Sequence, residues 1–191
     1  MHPFLPQTAI LKNGHETGIR SVRTSDAEQI YRLSLAVTAA GIGMVRTVEE
    51  LPGTPESVAV GIRRFLRDRR GLFIVAEYNL TIAGQAEVRV PPLKRLEHAG
   101  AFTVSVHPKF QGLGIGKSLT LAAQQWACEA GLHHLSLSVF ASNTKAQNLY
   151  RAVGYEVCGR HPCYIKHENE SFDDDVIMIW RNPAYHADEM I

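Results

Sequence analysis

Three alternating glycines join a strand signal to the clearest helix signal in the chain, and this junction constrains the fold more than any other stretch. Phe102–Val106 reads as a strand that stops at His107-Pro108, and Gln111-Gly-Leu-Gly-Ile-Gly-Lys-Ser118 follows. Beyond it, Leu119, Ala122, Ala123, Trp126, Ala127 and Ala130 recur at the spacing of one buried helical face, and Gly131 suits the position just past the helix end. A strand that enters a helix through glycines aims main-chain N–H groups and the positive helix end at one spot, where an anion can rest. Without Cβ atoms at 112, 114 and 116, such an anion can approach the backbone closely.

Around this junction, strand and helix signals alternate, which predicts a mixed α/β domain. Ile19–Val22 is a short strand candidate, after which Ser25 and Glu28 have the spacing of a capping box. Ala27, Ile30, Tyr31 and Leu35 then share one helical stripe. Thr54-Pro55 pairs a cap residue with proline at the first helical position, and Val58, Ile62, Phe65 and Leu66 form the apolar side of that helix. Arg63, Arg64, Arg67 and Arg70 fall on its other side and read as a solvated face. Leu72–Ala76 and Ile82–Val90 read as strands around a turn near Asn79, and Leu135, Leu137 and Val139 mark another. Asn143 opens a last helix with Ala146, Leu149, Tyr150 and Val153 on one stripe, and strands follow around Tyr155–Arg160 and Val176–Trp180. The expected division is a lead-in over 1–17, one domain over 18–181 and a tail over 182–191.

Composition removes several classes of function. A formal net charge of +1 argues against a dedicated nucleic-acid or membrane-surface binder. The most apolar stretch, around Leu33–Val45, is broken by Ser34, Thr38, Gly41 and Gly43 and falls short of a membrane span. No leader is apparent at the start, so the chain is expected to be soluble and cytoplasmic. Cys158, His161, Cys163 and His167 match no common zinc spacing, and no metal is expected.

Spacing separates three readings of the glycine segment. A Walker A loop requires glycine where Gln111 stands, and a Rossmann fingerprint starting at Gly112 requires glycine where Lys117 stands. The pattern that fits is Gln-x-x-Gly-x-Gly, at Gln111, Gly114 and Gly116. In that setting it resembles the coenzyme A pyrophosphate loop of the GNAT superfamily of N-acetyltransferases. Asn143-x-x-Ala146-x-x-Leu149-Tyr150, followed by Gly154-Tyr155, is similar to the superfamily's later motif. Phe172-x-Asp174-x-x-x-Met178 resembles a subgroup acting on amino acids and other small amines.

The resemblance implies a central, mostly antiparallel sheet flanked by four helices, with acetyl-CoA lying where two neighbouring strands splay apart. It implies pyrophosphate contacts from Gln111, Gly112, Gly114, Ile115, Gly116 and Lys117, and main-chain pairing of Val104 and Val106 with the pantetheine arm. An N–H near Val104 would steady the oxyanion, and Asn143 would either touch the cofactor arm or simply cap its helix. Tyr150 matches the general acid that protonates the departing thiolate. The general base has three candidates, Glu87, His98 and Glu97, because Ala101, Phe102 and Thr103 offer no carboxylate on the strand before the loop. His98 resembles a histidine of the amino-acid-acetylating subgroup. Asp173–Asp175 reads as a solvated strand entry, with Asp174 of interest through the subgroup motif. No cysteine sits in a nucleophile motif, which agrees with direct attack on the thioester by a primary amine. A small amine or amino acid is the expected acceptor. A peptide α-amine and a non-catalytic acyl-CoA sensor are the alternatives, and a homodimer stays open.

Overall fold

The computed structural model describes residues 3–41 and 43–185; the rest of the expected lead-in and tail, residues 1–2 and 186–191, lies outside the described residues. The strands are β1 (Gln7–Ile10), β2 (Glu16–Ser21), β3 (Leu72–Tyr78), β4 (Thr81–Arg89), β5 (Ala99–Val106), β6 (His134–Phe140), β7 (Glu156–Lys166) and β8 (Phe172–Arg181). The helices are α1 (Ala27–Ala39), α2 (Pro55–Asp68), α3 (Ile115–Glu129) and α4 (Thr144–Ala152). One sheet runs in the order β1-β2-β3-β4-β5-β6-β8-β7, antiparallel everywhere except between β5 and β6. This is the mixed α/β fold with a mostly antiparallel sheet and four helices that the sequence predicts.

Each face of the sheet has its own core. On one face, α3 and α4 close over Ala86, Val88, Phe102, Leu135, Leu137, Val176 and Met178. On the other, Ile30, Leu33 and Val37 of α1 and Ile62 of α2 pack on Val75 and Ile82. Among the described residues, no helix is long and apolar enough to cross a membrane.

Several local expectations meet a different arrangement. The lead-in over 1–17 contains β1, which pairs with β2 from Gln7↔Ile19 to Ile10↔Glu16. Ser25 and Glu28 do not form the capping box. The Asp26 carboxylate instead takes the Arg23 N–H at 2.7 Å and both terminal nitrogens of the Arg20 guanidinium, at 2.8 and 3.0 Å. Arg20 also bonds Glu77 on β3, which ties this local ion pair and the helix start to the sheet, while Glu28 pairs with Arg32 one turn on. The Thr54-Pro55 start does form as read, with Thr54 Oγ1 accepting from Ser57 N at 3.3 Å. Asn79 and Leu80 both take positive φ, 49° and 60°, which makes the β3–β4 hairpin tight.

Candidate active site

The central feature is the place where the sheet opens. β5 pairs with β4 from Arg89↔Ala101 to Gly84↔Val106. Among the described residues, its pairing with β6 covers Ala99↔His134, Gly100↔Leu135 and Ala101↔Ser136. Beyond Ala101 the two strands part.

The ladder determines which main-chain groups face that gap. His107 N donates to Ala83 O at 2.9 Å, so 107 and 83 form a hydrogen-bonded pair. Antiparallel pairs alternate, so Ser105 and Thr103 also spend their main-chain groups on β4. Val104 and Val106 therefore turn N–H and C=O away from β4, into the gap. The Gln111 amide reaches Val106 O at 3.4 Å. The Val104 and Val106 side chains meanwhile pack on the α3/α4 core.

The glycine loop lies at the mouth of the gap. A turn of 3-10 helix, Pro108–Phe110, leads through Gln111 to Gly112 and Gly114, whose φ values of 84° and 99° only glycine adopts without strain. Gly114 caps α3 and contributes no side chain, so the first-turn N–H groups of Ile115, Gly116 and Lys117 point at the mouth without an intrahelical partner. Ile115 is buried and anchors the turn, whereas Lys117 is exposed. Lys145 Nζ holds Gln111 Oε1 at 3.2 Å. Lys12, in the β1–β2 turn, donates its N–H to Leu113 O at 2.9 Å, which brings one more cation to the loop. Residue 12 falls in the stretch read as a lead-in, although Asn13-Gly14 is a hairpin signature that could have revealed this turn.

Tyr150 projects from α4 into the core on the α3/α4 face, near Tyr155 at a ring separation of 5.7 Å. Burial pushes its phenol up to about 12, so it stays protonated throughout the neutral range. Tyr155 stacks on Phe102, and burial raises its phenol further. The Tyr155 hydroxyl is sealed in, and among the described residues it has no hydrogen-bond partner. Tyr155→Phe should therefore leave stability unchanged or raise it by about 1 kcal/mol, because an unsatisfied buried hydroxyl is removed; urea denaturation checks this.

Glu87 lies on the opposite, α1/α2 face, opposite Thr103 and Phe73. Burial raises its carboxyl above the ordinary carboxylate range, and the Arg89 guanidinium, as an ion pair, opposes the rise. His98 does not join this site. It precedes β5 at the closed end, six residues or ~20 Å of strand from Val104. There its ring meets those of His133 and His134 at 5.9 and 5.7 Å. Glu97 is at the same distant end. Asn143 Oδ1 caps α4 by accepting Ala146 N at 3.1 Å. Its Nδ2 comes within 2.7 Å of where a Cβ on Gly43 would sit, so the segment after α1 lies against the start of α4. Among the described residues, no group of three His, Cys, Asp or Glu side chains could hold a metal ion.

An opened parallel pair, outward-facing strand amides and a glycine-turned helix start suit a long ligand with an anionic head and an amide-bearing arm. Comparison with known proteins agrees with this reading. The model of the acetyltransferase (GNAT) family matches residues 30–155. A mycothiol acetyltransferase of Arthrobacter sp. (strain FB24) is 43% identical over 54 residues, which is 28% of this chain and only 17% of that relative. An acetyltransferase of the GNAT family from Streptococcus pneumoniae superposes with a TM-score of 0.81 at 22% identity, covering 86% of this chain and 99% of that one. A phosphinothricin acetyltransferase of Sinorhizobium meliloti, solved with acetyl-CoA, gives 0.77 at 16% identity over 86% of this chain and 88% of its own. Since the family model spans well over half of the sequence, from α1 through the gap, the loop and α4, this chain belongs to the acetyltransferase (GNAT) family.

Proposed function

We propose that the protein moves an acetyl group from acetyl-CoA to a primary amine, that of a small amine or amino acid. The observation that carries this reading is the β5–β6 gap, with Val104 and Val106 main-chain groups turned into it beside the open start of α3. Acetyl-CoA supplies the acetyl group as a thioester. The N–H groups from Gly112 to Lys117, with Lys12, Lys117 and Lys145 nearby, would hold its diphosphate. Val104 and Val106 would pair with its amide arm as an added strand. The Val104 N–H also faces the place where negative charge gathers on the carbonyl oxygen.

Acid and base would act from opposite faces. Tyr150, on the α3/α4 face, gives its proton to the departing thiolate. Glu87, on the α1/α2 face, takes a proton from the attacking ammonium. Thiol release from acetyl-CoA, measured against amines, amino acids and short peptides, tests this directly. At least one primary amine should accelerate release far above hydrolysis. Binding of acetyl-CoA with no acceleration by any acceptor would leave a sensor instead. Glu87→Gln should lower kcat/KM by ~10²–10⁴-fold. Because Glu87 acts deprotonated and its carboxyl is raised, the acid limb of the rate profile should lie above the ordinary carboxylate range and vanish in the variant.

A further inference from the structure

The face of the sheet that bears Glu87 carries a second carboxylate on the far bank of the gap. Thr103 is the cross-strand neighbour of Glu87, and Ser136 is that of Ala101. Two residues on, Ser138 thus shares the face of Thr103 across the opening. Ser138 and Phe140 share a face as well, and Phe140 is opposite Asp175, which is opposite His161 on β7.

Asp175 is only 6% exposed, and its partners distinguish it from its two neighbours. Asp173 takes the main-chain N–H groups of Ser142 and Asp174, and Asp174 takes that of Cys163 and the Arg160 side chain. Both fasten backbone. Asp175 Oδ2 instead takes the exposed Ser138 hydroxyl at 2.9 Å and lies 3.4 Å from His161 Nδ1, and among the described residues no donor meets its Oδ1. A buried carboxylate held by side chains alone is an acceptor waiting for donors.

The near bank has the same character. Gln85, two residues before Glu87 on the same face, buries its Oε1, which no donor among the described residues meets. Its cross-strand neighbour Val75 belongs to the same core cluster as Val37 of α1, and the residue after Val37, Thr38, is 6% exposed with a hydroxyl that has no partner among the described residues. The near bank therefore holds a buried amide oxygen beside Glu87, and the far bank a buried carboxylate. Where the ladder is closed, β4 and β8 are three strand spacings apart, ~14 Å, and beyond Ala101 the opening widens this, a span for two inward-reaching carboxylates with an alkyl chain between them.

Resting on the acetyl-transfer reading, we propose that the acceptor is a dication: a primary amine with a second positive charge a short alkyl chain away. Gln85 and Glu87 receive the reacting ammonium. Asp175, through Ser138, receives the distal one and sets specificity. The reacting ammonium loses two protons. Glu87 takes the first, and the free amine adds to the thioester carbonyl. As the C–S bond then breaks, Tyr150 protonates the thiolate and is restored by the second nitrogen proton, while the distal ammonium keeps its own. The product carries one positive charge fewer than the substrate.

The test compares 1,5-diaminopentane with 1-aminopentane and 6-aminohexanoate in the thiol-release assay. The diamine should be preferred to the monoamine by ~10-fold or more in kcat/KM. Asp175→Asn should abolish that preference through KM, with the monoamine rate within about twofold of wild type and the acetyl-CoA Kd and melting temperature retained. Ser138→Ala, at an exposed position, gives the same readout should the Asp175 variant fail to fold. Equal kcat/KM for diamine and monoamine, or equal loss of both in Asp175→Asn, overturns the proposal. Calorimetric titration of 1,5-diaminopentane onto protein saturated with coenzyme A reads the same preference without turnover. Failure of transfer and failure of dication recognition are thereby told apart.

Discussion

Tyr150→Phe should lower kcat by ~10²–10⁴-fold while the Kd for acetyl-CoA stays within about twofold. The phenol lies on the buried stripe of α4, where the ring supplies packing and the hydroxyl supplies chemistry. Phenylalanine keeps the ring, and among the described residues no hydrogen bond of the Tyr150 hydroxyl is lost, so the melting temperature should hold. With the phenol pushed up to about 12, the acid is intact through neutral pH and ionises only in strong alkali. The sign follows: the wild-type rate should not fall on the alkaline side until that range is approached. Stopped-flow thiol release and calorimetric titration separate the two constants. Undiminished kcat would remove Tyr150 from the chemistry, and a collapsed Kd would make it part of the cofactor seat.

Gly114→Val should raise the Kd for acetyl-CoA at least ~30-fold with a modest loss of stability. At φ 99° a Cβ clashes with the residue's own backbone, a strain of about 1–2 kcal/mol that is worse for a β-branched side chain. External crowding is not the cause, since the nearest atom, Lys12 Cγ, would lie 3.7 Å away, an ordinary contact. Relief comes by rotating the turn, which swings the Ile115–Lys117 amides off the mouth of the gap. Titration calorimetry reads the loss, and a wild-type Kd would show that these amides do not hold the diphosphate.

What the sequence made legible was written locally. Glycines at 112 and 114, the Thr54-Pro55 cap and the stripe from Leu119 to Ala130 each encode their own conformation, and the structure has them as read. Partners far along the chain were not legible. Arg20, held by Glu77 of the distant strand β3, takes the Asp26 carboxylate six residues on and displaces the Ser25–Glu28 reading. β1 is short and edge-paired, with too little alternation to stand out. β5 begins at Ala99, because Ala and Gly carry weak strand preference and only pairing reveals them. The general base shows the limit best: His98 and Glu87 look alike as candidates until register places one at the closed end and the other beside the opening. Asp175 was hidden for the opposite reason, because an acidic run reads as solvated until cross-strand neighbours bury its last member.

The three-rung join between β5 and β6 makes the sheet two panels on a short spine, five strands on one side and three on the other. A molecule wedged between the panels completes the main-chain lattice, so it acts as a splint as well as a reagent. A hundredfold excess over its Kd stabilises the folded chain by about 2.7 kcal/mol. A ligand seated there would thereby tie the stability of the folded chain to its own concentration.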